Sequence, residues 1–177
     1  MGLEDGLPPQ TNGYHAAPRA TLLAAAGTFS GITTSVWMGG AHSHTGDEML
    51  PEALSASWVI DAAGDMPPGL RSSTGVWVPC VFADLDSVPL QLHHIHTTVQ
   101  RAAEAMRAPG KVPEAIYSVC QYGMNRSGLL AGLLLREFGM SGDDAVTLIR
   151  SRRPGSLSNQ AFERIIRHTK SGKAPAG

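Results

Sequence analysis

The stretch Val119-Cys120-Gln121-Tyr122-Gly123-Met124-Asn125-Arg126-Ser127-Gly128 lies between an apolar strand-like run, Ala115 to Cys120, and an apolar helical run that begins at Ser127. It carries a cysteine, five further residues, an arginine and then a hydroxyl residue. Five intervening residues let the backbone curl around a tetrahedral anion with its N–H groups turned inward, and the helix that follows adds its positive N-terminal end. Gly123 relieves crowding where the chain bends. The backbone of Gln121, Tyr122, Gly123, Met124, Asn125 and Arg126 is therefore expected to bind phosphate. The same cage stabilises a thiolate, which makes Cys120 a candidate nucleophile. Arg126 offers a planar fork able to grip two phosphoryl oxygens and follow them into a transition state.

Working outward, strand-like runs at Ile32 to Met38, Trp58 to Asp61, Val76 to Phe82 and Ala115 to Cys120 are separated by turn-rich or helical segments. Leu92, Ile95, Val99, Ala102 and Met106 follow helical spacing, with Gln100, Arg101, Glu104 and Arg107 between them, up to Pro109-Gly110. Ser127 to Phe138 is apolar or small almost all round, as a buried helix requires, and Gly139 stops it. Ser141 is the expected N-cap of a further helix, with Asp143 and Asp144 in its first turn. A last helix after Pro154-Gly155 has Phe162, Ile165 and Ile166 as its buried stripe. Alternating strands and helices followed by helices alone predict an α/β fold, a central mainly parallel sheet with helices on both faces.

The chain's 177 residues, 42% hydrophobic and 16% charged, fit one packed domain. Residues 1–27, rich in Gly and Pro at their start, are expected as a flexible leader, 28–170 as the domain and 171–177 as a flexible tail. The apolar run from Gly128 to Leu135 is far below the ~20 residues of a membrane span, and the start, with Met1, Glu4 and Asp5, is not the positively charged start of a signal peptide, so a cytoplasmic protein without membrane contact is expected. The net charge of −1 does not recruit nucleic acid, although residues 126–177 hold nine Lys/Arg against four Asp/Glu. His42, His44, His93, His94 and His96 could suggest a metal site, but His93 and His96 flank inward-pointing Leu92 and Ile95 and are expected to face solvent, and no metal or other cofactor is expected. Cys80, the second of two cysteines, is expected buried and free; the alternative is a disulfide that shields Cys120. Arg152 and Arg153 either border the loop or finish a helix.

The segment from Cys120 to Gly128 resembles the signature of the cysteine-dependent protein tyrosine phosphatases, and within them the dual-specificity group. Ile32 to Gly40 looks like that group's opening strand, Trp58 to Asp61 like its next strand, and Arg152-Arg153-Pro154 through Asn159 and Phe162 like its closing Arg-Pro, Asn and Phe pattern. The resemblance implies a dual-specificity-phosphatase-like fold and a hydrolase acting on phosphotyrosine, and more widely on phosphoserine and phosphothreonine, of proteins or peptides. In it Cys120 attacks phosphorus, Arg126 holds the phosphoryl group and Ser127 assists departure of the sulfur. An upstream Asp serves as general acid, for which Asp84 and Asp86 compete and Asp86 is preferred on spacing. Val119 stands where members usually have His. The run Gly123-Met124-Asn125-Arg126-Ser127-Gly128 is also similar to the loop of RNA 5′-triphosphatases, which would make nucleic acid the partner, although the Thr-His pair before their glycine is Gln121-Tyr122 here. A third alternative is a catalytically weak phosphopeptide-binding module.

Overall fold

A computed structural model describes residues 20–40, 58–64 and 75–170. They form five strands, β1 (Ala20–Ala24), β2 (Ser35–Gly40), β3 (Trp58–Asp61), β4 (Val76–Pro79) and β5 (Ala115–Cys120), and four helices. The helices are α1 (Leu92–Arg107), α2 (Arg126–Glu137), α3 (Gly142–Arg152) and α4 (Gln160–His168). The sheet order is β1-β2-β5-β3-β4. Pairing is parallel throughout except for the antiparallel edge β1–β2, where a register shift falls between Leu22 and Ala24.

β1 is a correction to the expected leader of residues 1–27. Ala20–Ala24 is ordered because its partner β2 supplies the ladder and because its inward residues, Leu23 and Ala24, join the main core. Isolated from β2, five residues carry too little signal to be read as a strand. Residues 1–19 of the expected leader, the expected tail 171–177, and His42 and His44 lie outside the described residues.

Side-chain alternation divides the sheet into two faces. Val36, Met38, Ile60, Ile116 and Cys120 face the larger core, built with Ile95, Val99 and Met106 of α1, Leu130, Leu133 and Leu134 of α2, Val146 and Ile149 of α3, and Phe162 and Ile166 of α4. Trp37, Val59, Trp77, Tyr117 and Val119 form a smaller cluster on the opposite face. Every residue of β5 is buried, as befits a central strand covered on both sides. All four described helices share the larger core, and among the described residues the smaller cluster is built from strand side chains alone.

Helix α2 is the hub. Gly132 lets Ile166 of α4 approach, since a Cβ there would run into that side chain. Ser141 caps α3, accepting the N–H of Asp144 at 3.0 Å, and Asn159 caps α4, accepting the N–H of Phe162 at 3.1 Å. Glu163 of α4 binds Arg150 of α3 at 2.6 Å and also meets Arg167. None of the described helices is long and apolar enough to cross a membrane.

The strand order also separates the two cysteines. Cys80 follows β4 and donates its N–H to Asp61 O, whereas Cys120 ends β5, so β3 runs between them. Two inter-strand spacings of about 4.8 Å place their Cα atoms roughly 10 Å apart. That exceeds the ~7 Å limit for a disulfide. Both thiols are free, and burial pushes the Cys80 thiol up while its hydrogen bond with Thr98 pulls the other way. The protective disulfide raised by the sequence is thus excluded by sheet geometry.

Two outcomes follow. Peroxide treatment of the folded protein gives no Cys80–Cys120 crosslinked peptide by mass spectrometry; such a peptide in the native state would contradict the strand order. Gly142→Ala, favourable for an isolated helix, lowers stability by about 1–3 kcal/mol because the new Cβ meets the Arg167 backbone and α3 and α4 must separate. An unchanged or raised denaturation midpoint would contradict this packing.

Candidate active site

The loop from Cys120 to Arg126 leaves the C-terminal end of the central strand β5 and enters α2, the position where open α/β sheets place ligands. Its bend is fixed at Gly123, whose φ is +75°. A Cβ there would also collide with the backbone of Gly39 and Gly40 at the end of β2, so only glycine fits. The Gly123 N–H donates to the Cys120 sulfur at 3.2 Å, and the same sulfur lies 3.4 Å from the Ser127 hydroxyl. Cys120 and Ser127 are both buried. Met124 is buried beside Ser156, while Gln121 and Tyr122 lie toward the surface.

A peptide group that turns its N–H inward turns its carbonyl outward, and a buried carbonyl needs a donor. Arg153 supplies two. Its Nε donates to Gly123 O at 2.6 Å and its Nη2 to Tyr122 O at 3.3 Å, while Nη1 donates to the Thr21 hydroxyl of β1 at 2.8 Å. Leu157 N donates to Met124 O at 3.2 Å, and Leu129 N to Asn125 O at 2.9 Å. Arg153 is only 3% exposed, which decides between the two roles open to it in the sequence: it underpins the loop. Burial draws its pKa down, and interaction with Tyr117 and Cys120 pushes it back up. Arg152, by contrast, ends α3 at the exposed surface.

Arg126 opens α2 and donates through Nη1 to Phe82 O at 3.4 Å. Its buried Nε has no hydrogen-bond partner among the described residues. Buried donors are nearly always satisfied, so an orphaned guanidinium N–H in an anion-shaped loop marks where a ligand oxygen fits. Helix α2 is also left without a side-chain cap, although Asn125 occupies the N-cap position. Asn is among the best capping residues, yet here its side chain turns away and the first N–H groups of α2 remain available to an anion.

The two acidic candidates are separated by their bonds. Asp84 Oδ2 accepts from Asn125 Nδ2 at 3.1 Å and its Oδ1 accepts from Asn159 Nδ2 at 2.8 Å. Asp86 Oδ1 accepts the backbone N–H of Ala161 at 3.0 Å, in the first turn of α4. Asp84 is thus the acidic side chain in contact with the loop, while the carboxylate of Asp86, the one preferred on spacing, is used at a helix N-terminus. The edge-to-face contact of Phe82 with Phe162, centroids 5.7 Å apart, ties this acid-bearing segment to α4. Asn159, Asn125 and Arg153 are the side chains that spacing alone left without a role. The signal for Arg153 and Asn159 was present in the Arg-Pro and Asn positions of the closing pattern, and that for Asn125 in the Gly-x-Asn-Arg of the loop.

Val119 is fully buried in the smaller cluster, where it packs with Val59 and Tyr117. His93 and His94 are exposed on α1, and His96 is half-buried, with burial lowering its pKa. Among the described residues no group of three or more His, Cys, Asp or Glu side chains is placed to hold a metal ion.

No family model matches the sequence, and no curated protein does. Solved structures do. Human DUSP28 superposes with a TM-score of 0.60 at 21% identity, over 84% of this chain and 90% of that one. A mouse structure of the dual specificity phosphatase type, solved with zinc tungstate, gives 0.58 at 21% identity over 85% and 87%. The human tyrosine phosphatase-like serine/threonine/tyrosine-interacting protein gives 0.54 at 18% identity over 74% and 87%. At these identities the likeness is one of architecture, and it extends over most of each chain: the protein has the dual-specificity phosphatase fold.

Proposed function

We propose that the chain is a phosphatase that hydrolyses phosphomonoesters on tyrosine, and on serine and threonine, of proteins or peptides through a phosphocysteine on Cys120. The observation that carries this reading is the loop itself. One sulfur receives the Gly123 N–H beside the Ser127 hydroxyl, and the Arg126 Nε is buried with an unspent donor at an uncapped helix N-terminus. In the first step Cys120 Sγ attacks phosphorus, the P–S bond forms, the ester P–O bond breaks, and protonated Asp84 delivers its proton to the leaving oxygen. Arg126 and the loop N–H groups meet the charge that builds on the non-bridging oxygens. In the second step water attacks the phosphocysteine, Asp84 takes its proton, and the P–S bond breaks. The Ser127 hydroxyl donates to the departing sulfur.

The RNA 5′-triphosphatase reading keeps the Gly-x-Asn-Arg-Ser-Gly likeness in its favour. Those enzymes do without an acid at the upstream position, whereas Asp84 is hydrogen-bonded to this loop. A phosphopeptide-binding module is favoured by one residue, Val119, and by the fold shared with the interacting protein named above. The retained Cys120, Arg126, Ser127 and Asp84 speak for turnover.

Cys120→Ser abolishes release of phosphate from a phosphotyrosine peptide while tungstate still binds, because backbone and Arg126 make most of the cage. Parent-like turnover by that variant would remove the covalent mechanism. Asp84→Asn slows hydrolysis of a phosphothreonine peptide by about 100-fold or more and an activated aryl phosphate far less, the signature of a lost general acid. Asp86→Asn leaves that ratio unchanged. The opposite pattern returns the role to Asp86. Triphosphate-ended RNA loses its γ-phosphate more slowly than the phosphotyrosine peptide is hydrolysed; the reverse order would establish the RNA reading.

A further inference from the structure

Asn125 breaks a local rule. It stands at the N-cap of α2, where its amide oxygen would ordinarily accept an N–H from the first turn. Its side chain instead makes all its bonds outward. Oδ1 accepts the backbone N–H of Asn159 at 3.0 Å and the Ser158 hydroxyl at 3.3 Å, and Nδ2 lies 3.2 Å from the Ser158 oxygen and 3.1 Å from Asp84 Oδ2. On the other side, Asn159 Nδ2 donates to Asp84 Oδ1 and to Leu85 O, both at 2.8 Å, while its own Oδ1 caps α4. An exposed carboxylate in an irregular segment is thus gripped through both oxygens by two amides, one belonging to the phosphate loop and the other to α4. Departures from local preference of this kind are expected where function has overridden stability.

Resting on the phosphatase reading above, we infer that Asn125 is a positioning residue for the general acid: it ties Asp84 directly to the loop that holds the phosphoryl group. Two consequences of the geometry support this. The hydrogen bond makes the distance between acid and loop a fixed property of the fold, and a misplacement of about 1 Å at such a group can cost about 100-fold. Each carboxyl oxygen has two lone pairs, and each amide occupies one, so a site for the transferable proton remains on either oxygen. Asn125 donates through Nδ2 and accepts through Oδ1, so it keeps Asp84, α4 and the loop in register with one planar group. Because its side chain is spent in this way, the N-terminus of α2 is left to the anion.

The test compares parent, Asn125→Ala, Asn125→Asp, Asp84→Asn and the Asn125→Ala/Asp84→Asn pair on a phosphothreonine peptide and on an activated aryl phosphate, together with tungstate affinity. Asn125→Asp keeps an acceptor for Asn159 and Ser158, loses the Nδ2 donor to Ser158 and Asp84 and sets a second carboxylate beside Asp84, so it guards against a misfolded alanine variant. Both single Asn125 variants are expected to lose about 10-fold or more on the phosphothreonine peptide beyond any loss on the aryl phosphate. The tungstate affinity of Asn125→Ala stays within a few-fold of the parent, whereas the added charge of Asn125→Asp lowers it. In the Asp84→Asn background, Asn125→Ala adds no further leaving-group-selective loss, since the two residues act as one unit. Equal losses on both substrates, a collapse of tungstate affinity in both variants, or full additivity with Asp84→Asn would overturn the inference and make Asn125 a loop-building residue. Failure of the phosphatase reading is separable: the parent would then bind tungstate yet release no Cys120-dependent phosphate from either substrate, and the inference would fall with it.

Discussion

The site depends on where the backbone carbonyls of its loop point. For N–H groups to converge on an anion, the carbonyls of Tyr122, Gly123, Met124 and Asn125 must face the protein, and each finds a donor there: Arg153 twice, then Leu157 N and Leu129 N. Arg153 is the costly member of this set, since a guanidinium loses hydration on burial. Its three donor contacts offset that cost and also reach Thr21 on the edge strand. Loop, α3–α4 connection and β1 are consequently parts of one hydrogen-bonded unit.

That unit explains several features otherwise unrelated. Gly123 must be glycine because the inward bend has a positive φ and rests on the Gly39–Gly40 backbone. Leu157 adopts a φ of +60°, rare for a side-chain-bearing residue, at the position where its N–H reaches Met124 O and its side chain lies against Gly128. The strain is held by complete burial of that side chain. Asn125 and Asn159 extend the same network to Asp84, so the acid-bearing segment is registered on the loop through side chains, not through the sheet.

The loop was legible in the sequence because its chemistry is carried by covalent spacing: a cysteine ending an apolar run, a mid-loop glycine, an arginine and a hydroxyl opening an apolar helix. The strands β3 and β5 and all four helices were legible for a similar reason, since periodicity and the cap Ser141 are local signals. What was not legible is non-local. β1 exists by pairing with β2 and by the Arg153–Thr21 bond across 132 residues. Spacing from Cys120 favoured Asp86, but residues 81–85 are irregular and partners more than 40 residues away hold the two carboxylates, the Asn125 and Asn159 amides on Asp84 and the Ala161 N–H on Asp86. Val119 packs into an apolar cluster with Tyr117, so an apolar side chain and not an imidazole precedes Cys120.

The central claim is that Cys120 becomes covalently phosphorylated. Mixing the protein with a radiolabelled phosphotyrosine peptide, quenching in acid within milliseconds to seconds and mapping the label by mass spectrometry tests it most directly. The account predicts label on the peptide containing Cys120, reaching its maximum before steady-state release of phosphate and absent from Cys120→Ser. Sustained hydrolysis with no label on Cys120, or with label on another residue, would contradict it.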